Sequence, residues 1–394
     1  MTNYRLTTAA EREQFYQLYL YAFNREDSAH RQHYFFERYD NGWAYGIKNG
    51  NKLGSGLYAL PFNVNFHGVP FRMNGIGDVM SAPEFSGRGG AGTLLKASLQ
   101  EMLEKHVTLA YLAPFSYEYY RRFGYEQVFD RMRYTLLGRQ VPLFHPQHQT
   151  GTVQRLSLAE ALPLIKPFYQ TRTAGFTGGV VREDWWWDHL VLQTRRDAAV
   201  YTDDQHQVQG YIIYTRDSQA MTVEEWYAAT GDAWEHLMGF ILRNGNSFAK
   251  LVFEDQNSRY QADWFPNPDS ITATVTPYMM ARIVDLADFF TRYPYTGDTL
   301  APVTLAVTDP VLPENQGTWS LGMAHGHIAV QKISAELAEQ ADIHISIQQL
   351  VKAMFGTQSL SHIVFVGQAT GNAAAVARLD ALCQHDAPML NDYF

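Results

Sequence analysis

The spacing of apolar and polar residues predicts two helices at the start of the chain, then a sheet that begins antiparallel. Apolar and aromatic residues recur at intervals of three and four from Ala9 to Phe23 and again from Ser28 to Tyr39, as on a helix with one buried face. WAYGIK, GSGLYALPFNVNF and VPFRMNGIGDVMSA then read as strands separated by KNGN and HG. Asn49-Gly50 predicts a hairpin whose two central residues both take positive φ. After a glycine-rich stretch, Leu95, Leu99, Met102 and Leu103 mark one face of a helix from Thr93 to His106. TLAYLAP follows as a short apolar strand, and SYEYYRRFGYE comes next.

A weaker copy of this order runs downstream. Leu158 to Thr173 and Glu183 to Leu192 read as helices, AAVYTDD, QGYIIYTRD and QAMTVEEWYAA as strands, and Asp232 to Arg243 as a helix before the strand FAKLVFED. Such repetition predicts a duplicated domain. In the second copy Ala229-Thr230-Gly231-Asp232 stands in place of the glycine-rich loop, an ordinary helix start with Thr or Asp as the cap, so no cofactor is expected there. From about Leu286 a third pattern begins: the helix LADFFTRY, a hairpin turning at His325-Gly326, the strand DIHISI, and helices at Gln348 to Phe355 and Ala373 to Cys383. The expected fold class is therefore α+β with mixed α/β sheets, in domains spanning 1–145, 146–285 and 286–394.

Length and composition agree with several packed domains. The chain has 394 residues, more than the roughly 250 to 300 at which single cores stop growing. Hydrophobic residues make up 46% of it, enough for several interiors. No run reaches the roughly 18 apolar residues of a membrane span and the start carries no signal-peptide pattern, so a cytoplasmic protein without membrane association is expected. The one cysteine, Cys383, has no partner for a disulfide or a zinc site. A net charge of -9 argues against nucleic acid as a partner and tolerates a cationic small molecule.

The segment APEFSGRGGAGTLLKASL, Ala82 to Leu99, carries the first chemistry. A strand end passes through small residues into an amphipathic helix, where consecutive backbone N–H groups can cradle phosphate oxygens. Three phosphate sites compete. The P-loop pattern fails, because Thr93 and Leu94 stand where Lys and Ser/Thr are required. GxGxxG is matched by Gly87, Gly89 and Gly92, which would suit an NAD(P)-dependent oxidoreductase, but that motif should follow the first strand of a parallel βαβ unit. The pyrophosphate loop of GNAT acetyltransferases, Q/R-x-x-G-x-G/A, fits Ser86-Gly87-Arg88-Gly89-Gly90-Ala91, with Ser in the first place.

YYRRFGYE, Tyr119 to Glu126, supplies a second element one helix and one strand later. A phenol there stays protonated at neutral pH and can donate to a departing thiolate, but five tyrosines lie close together. With SAPEFSGRGGAG, YYRRFGYE and a tail ending in an aromatic residue, the chain resembles the enhanced intracellular survival (Eis) type of multi-domain GNAT N-acetyltransferases over its whole length.

The resemblance implies an active GNAT domain, a degenerate GNAT domain and a sterol-carrier-protein-like domain. It implies acetyl-CoA as cosubstrate, no metal, a homohexamer, and a cationic amine acceptor of aminoglycoside, polyamine or lysine type. It places the general acid on Tyr120, the pantetheine contacts on Val79, Met80 and Ser81, and the base on the α-carboxylate of Phe394. Phe23 would line the acceptor pocket, with Glu26 as an ammonium partner. The alternative is a non-catalytic lipid or small-molecule carrier, suggested by the third domain. Three features are given no ligand role: Trp185, Trp186 and Trp187 are expected in a core or at an interface, His325 and His327 flank a turn without a third zinc ligand nearby, and the strand pair Glu224 and Glu225 is expected to be structural.

Overall fold

The computed structural model describes residues 4–142, 144, 147, 150–193, 195–261, 267–333 and 339–394. The boundary expected at 145/146 falls outside the described residues. The chain forms two compact units: the first holds residues 1–129, 278–388 and 392–394, the second residues 130–277 and 389–391. No helix among the described residues is long and apolar enough to cross a membrane.

In the first unit, α1 (Ala9–Ala22) begins with a capping box in which Thr8 and Glu11 satisfy each other's backbone N–H groups. Helix α2 (Ala29–Asn41) begins at the cap Ser28. Strands β1 (Trp43–Asn49), β2 (Lys52–Phe66) and β3 (Val69–Ser81) form the antiparallel meander. The first turn differs from expectation by one residue. Asn49 pairs with Lys52, so Gly50 and Asn51 are the central pair and only Gly50, at φ 63°, takes positive φ. That is the pattern of a II′ turn, in which one glycine at the first central position suffices. The turn at His67-Gly68 does have both residues at positive φ.

Helix α3 (Gly90–Glu104) starts three residues before the expected Thr93, so the glycine-rich segment supplies the helix's own first turn. Strand β4 (Leu109–Leu112) runs parallel to β3, and residues 280–283 pair antiparallel with β4 on its other side. Leu94, Leu95, Leu99 and Met102 of α3 pack against Leu57, Ala110 and Leu112 in the core under this sheet. A separate five-stranded sheet built from residues 300–371 belongs to the same unit.

The second unit has its own core, in which Leu237, Met238 and Ile241 of the helix Gly231–Arg243 pack on strand residues Ile212, Tyr214, Val223 and Leu251. That helix is capped by Thr230, whose hydroxyl accepts from the Ala233 amide. Glu225 is buried between Arg182 at 3.0 Å and the Tyr211 hydroxyl, and Glu224 takes the Arg196 guanidinium at 2.7 Å. Trp186 and Trp187 are buried within this unit, Trp187 edge-on to Tyr169 with centroids 5.1 Å apart. They fill its interior, in keeping with the core-or-interface packing expected of them.

Candidate active site

The site is opened by a divergence of two parallel strands. The β3–β4 ladder ends at Ile76 and Leu112, while β3 continues through Ser81. At this point β3 also bulges. Gly56 pairs with Met80 and Tyr58 with Gly77, leaving Asp78 and Val79 opposite Leu57 alone, and Asp78 takes φ 46°. An extra residue in one strand bends it and re-aims its side chains, as bulges next to active sites commonly do.

The widened gap leads to the glycine-rich turn. Gly87 and Gly89 both sit at positive φ, and Gly89 is the N-cap of α3 with no side chain capping the helix. The first-turn amides of Gly90, Ala91 and Gly92 therefore have no carbonyl one turn earlier to bond, and they present partial positive charge. Gly90 packs so closely that a Cβ there would stand 2.4 Å from the Ser55 Oγ, and Ser55 in turn shares a 2.7 Å hydrogen bond with Ser81. Only glycine lets the helix start come this near the strands.

A cleft of about 460 Å³ follows this path, lined by Val79, Met80 and Ser81 on one side and by Ser86, Gly87 and Gly89 to Gly92 on the other. The expected cofactor residues thus lie together with one exception. Arg88 does not line the cleft; its guanidinium sits over the Phe85 ring, 5.6 Å from the centroid. Phe115, Tyr119 and Arg122 close the cleft and were not anticipated.

The YYRRFGYE segment forms α4 (Tyr117–Arg121), capped by Ser116. Arg121 pairs with buried Glu126 at 2.8 Å, and the Arg282 guanidinium donates to the Phe123 carbonyl while pairing with Asp309 at 2.5 Å. These contacts fix the short helix, whose consecutive tyrosines point to different places. Tyr119 faces the first cleft, and Tyr120 is buried and faces a second one. Burial pushes the Tyr120 phenol well above its ordinary value, so it stays protonated.

The second cleft, about 310 Å³, has Tyr120, Phe23, Tyr393 and Phe394 on its walls. Phe394 is buried, its ring 5.3 Å from that of Phe62, and the Tyr278 hydroxyl donates to the Asp392 carbonyl at 3.1 Å. The tail is therefore packed rather than frayed. Glu26 is exposed and does not line this cleft; Arg25, next to it, does.

Asp78, Arg38 and Tyr34 complete the walls. Arg38 is buried, with Nη2 3.2 Å from Asp78 Oδ2 and Nη1 donating to the Tyr58 hydroxyl. The approach to Asp78 is an ion pair without hydrogen-bond alignment, so Asp78 Oδ2 still lacks a donor among the described residues. Burial raises the Asp78 carboxyl above its ordinary value, with Arg38 opposing the shift. A charged residue within the apolar strand GDVMSA was the signal for this network, but the bulge that aims it into the pocket depends on strand register.

Sequence comparison decides the family. Residues 3–128 match an acetyltransferase (GNAT) domain, residues 178–283 a second acetyltransferase (GNAT) domain, and residues 286–391 a sterol carrier protein domain. A protein of Enterococcus faecalis V583 described as a probable N-acyltransferase is 32% identical over 100% of both chains, with a TM-score of 0.92. The chain belongs to the multi-domain GNAT N-acetyltransferases.

The domain order of this acetyltransferase is that of the Eis type. A GCN5-related N-acetyltransferase from Anabaena variabilis, 21% identical over 100% of both chains with TM-score 0.87, shares its fold. So does Eis1 from Mycobacterium abscessus, 18% identical over 99% of both chains with TM-score 0.79. Among curated proteins no sequence matches it. GNAT domains in general use acetyl-CoA, and the uncapped helix start beside an unpaired strand edge has the donors that a diphosphate and a pantetheine amide require.

Proposed function

We propose that this N-acetyltransferase binds acetyl-CoA in the first cleft and acetylates a primary amine of a small molecule held in the second. The observation that carries this reading is that the two clefts share Val79 and Phe115, so a thioester lying along β3 would meet an amine beside Tyr120. The amides of Gly87 and Gly89 to Ala91 would take the diphosphate, and the backbone of Val79 to Ser81 the pantetheine arm.

Bound acetyl-CoA supplies a thioester carbonyl; attack by the amine nitrogen forms the C–N bond and breaks the C–S bond. Tyr120 donates its proton to the departing sulfur, a role supported by its place at the cleft junction and by burial that keeps the phenol protonated. The α-carboxylate of Phe394 accepts the proton lost by the substrate ammonium, directly or through water. The place of Phe394 on the wall of the same cleft supports that role. Holding amine and thioester together supplies much of the rate. A homohexamer remains part of the reading by family likeness alone.

Calorimetric titration of the folded protein with CoA tests the reading. Saturable heat is expected, and its absence would overturn the assignment of the first cleft.

A further inference from the structure

The charges on the walls of the second cleft are unlike those of a site made for a polycation. Its ionisable acid and base side chains are Arg25, Arg38 and Asp78, and with the α-carboxylate of Phe394 two guanidiniums face two carboxylates, with no surplus of negative charge. Cation sites surround their ligand with carboxylates, because each unopposed guanidinium repels an ammonium and the repulsion grows as water is excluded. Glu26, the acidic side chain expected here, lies outside the cleft.

The three side chains are not equivalent. Arg38 is buried and pairs with the partly buried Asp78, yet Asp78 Oδ2 lacks a donor and Arg38 Nε lacks an acceptor among the described residues. Arg25 is exposed at the start of the cleft, and its side chain makes no hydrogen bond among the described residues. Its backbone is fixed, the amide donating to the Leu20 carbonyl at 2.8 Å just past the end of α1. A planar fork of donors held at a pocket mouth suits a carboxylate, which it can engage through two parallel hydrogen bonds.

We infer that the acceptor is an amine that also carries a carboxylate, an amino acid or short peptide, with its carboxylate on Arg25 and its amine directed past Asp78 toward Tyr120. The inference rests on the proposed acetyl transfer and narrows its acceptor. Asp78 then provides the ammonium's counter-charge on entry, and Arg38 holds Asp78 in place beneath the bulge. Polyamines and aminoglycosides, with several ammonium groups and no anion, would leave Arg25 unpaired and meet like charge at the entrance.

The test is thiol release from acetyl-CoA by the full-length protein with L-lysine, 4-aminobutyrate and glycylglycine, each against its methyl ester, and with spermidine. For at least one acid, kcat/KM is expected to exceed that of its ester and of spermidine by about tenfold or more, as for a site built around a lost polar partner. Arg25→Gln is expected to bring the acid-to-ester ratio to within about threefold, chiefly through KM for the acid. A merely structural role for Arg25 would change both substrates alike. Equal or better turnover of esters or spermidine, an unchanged ratio in Arg25→Gln, or acetyl-CoA binding without turnover of any acid would each overturn the inference. Absence of acetyl-CoA binding would instead overturn the proposed function.

Discussion

The ring of Phe394 occupies the space that a side chain at Gly75 would need: a Cβ on Gly75 would stand 2.5 Å from Phe394 Cδ2. Gly75 lies in the part of β3 still paired with β4, opposite Tyr111, so the tail residue is seated directly on the sheet of the first acetyltransferase domain. Gly75→Ala should displace the ring and whatever its carboxylate does. Because misplacing a reacting group by about 1 Å can cost about a hundredfold, turnover should fall by about tenfold or more while CoA affinity changes little. Adding one residue after Phe394 should have the same effect, since it moves the carboxylate by about 3.5 Å. Steady-state kinetics beside CoA titration of both variants checks this, and full activity in both would remove the carboxylate from the mechanism.

Tyr120→Phe should lower kcat by about a hundredfold or more, the usual contribution of a positioned acid, without weakening CoA binding. Burial raises the phenol's pKa, so its ionisation should produce no alkaline loss of wild-type activity up to about pH 9. A pH profile of kcat for both proteins, with CoA titration, is the measurement. Tyr119→Phe is the useful contrast, since that ring lines the first cleft instead.

Gly90→Ala should weaken CoA binding by about tenfold, because the new methyl group meets Ser55 and pushes the first turn of α3 away from the strand edge. Ser55→Ala removes the hydroxyl at 2.4 Å and should restore part of the affinity in the double variant. Calorimetry on the two single variants and the double variant would show the coupling. Purely additive losses would mean that the contact does not shape the cradle.

Asp255, in the second unit, offers a pH prediction. Burial pushes its carboxyl from 3.8 to about 6, with the Asn257 amide opposing the shift. A carboxyl whose folded pKa is raised contributes stability that is fully present below about pH 3.8 and is lost as pH rises through about 6. Asp255→Asn should therefore be the more stable protein at pH 7.5, by on the order of 1 to 3 kcal/mol, with the advantage shrinking toward pH 4. Thermal melts of both proteins across that range check the sign.

Much of this fold was legible because local rules govern it. The helix caps Thr8, Ser28 and Ser116 and the paired positive-φ residues at His67-Gly68 are short-range devices that a sequence displays directly. The start of α3 was misplaced because glycine carries no helix propensity to reveal that Gly90 to Gly92 already belong to the helix. The first hairpin slipped by one residue for a related reason: Gly50 satisfies either register, and the pairing of β1 with β2 chooses between them.

By itself the sequence determined the order of domains, the glycine-rich turn and the tyrosine-rich segment, since each is set by residue types within about a dozen positions of one another. Tertiary structure alone decided which charges share a pocket. Arg25 and Arg38, Asp78, and Phe394 come from three separate parts of the chain, and a bulge, a helix end and a packed tail bring them to one cleft. A bulge depends on the register of two strands and a tail on the surface that receives it, so neither leaves a local trace in composition or spacing.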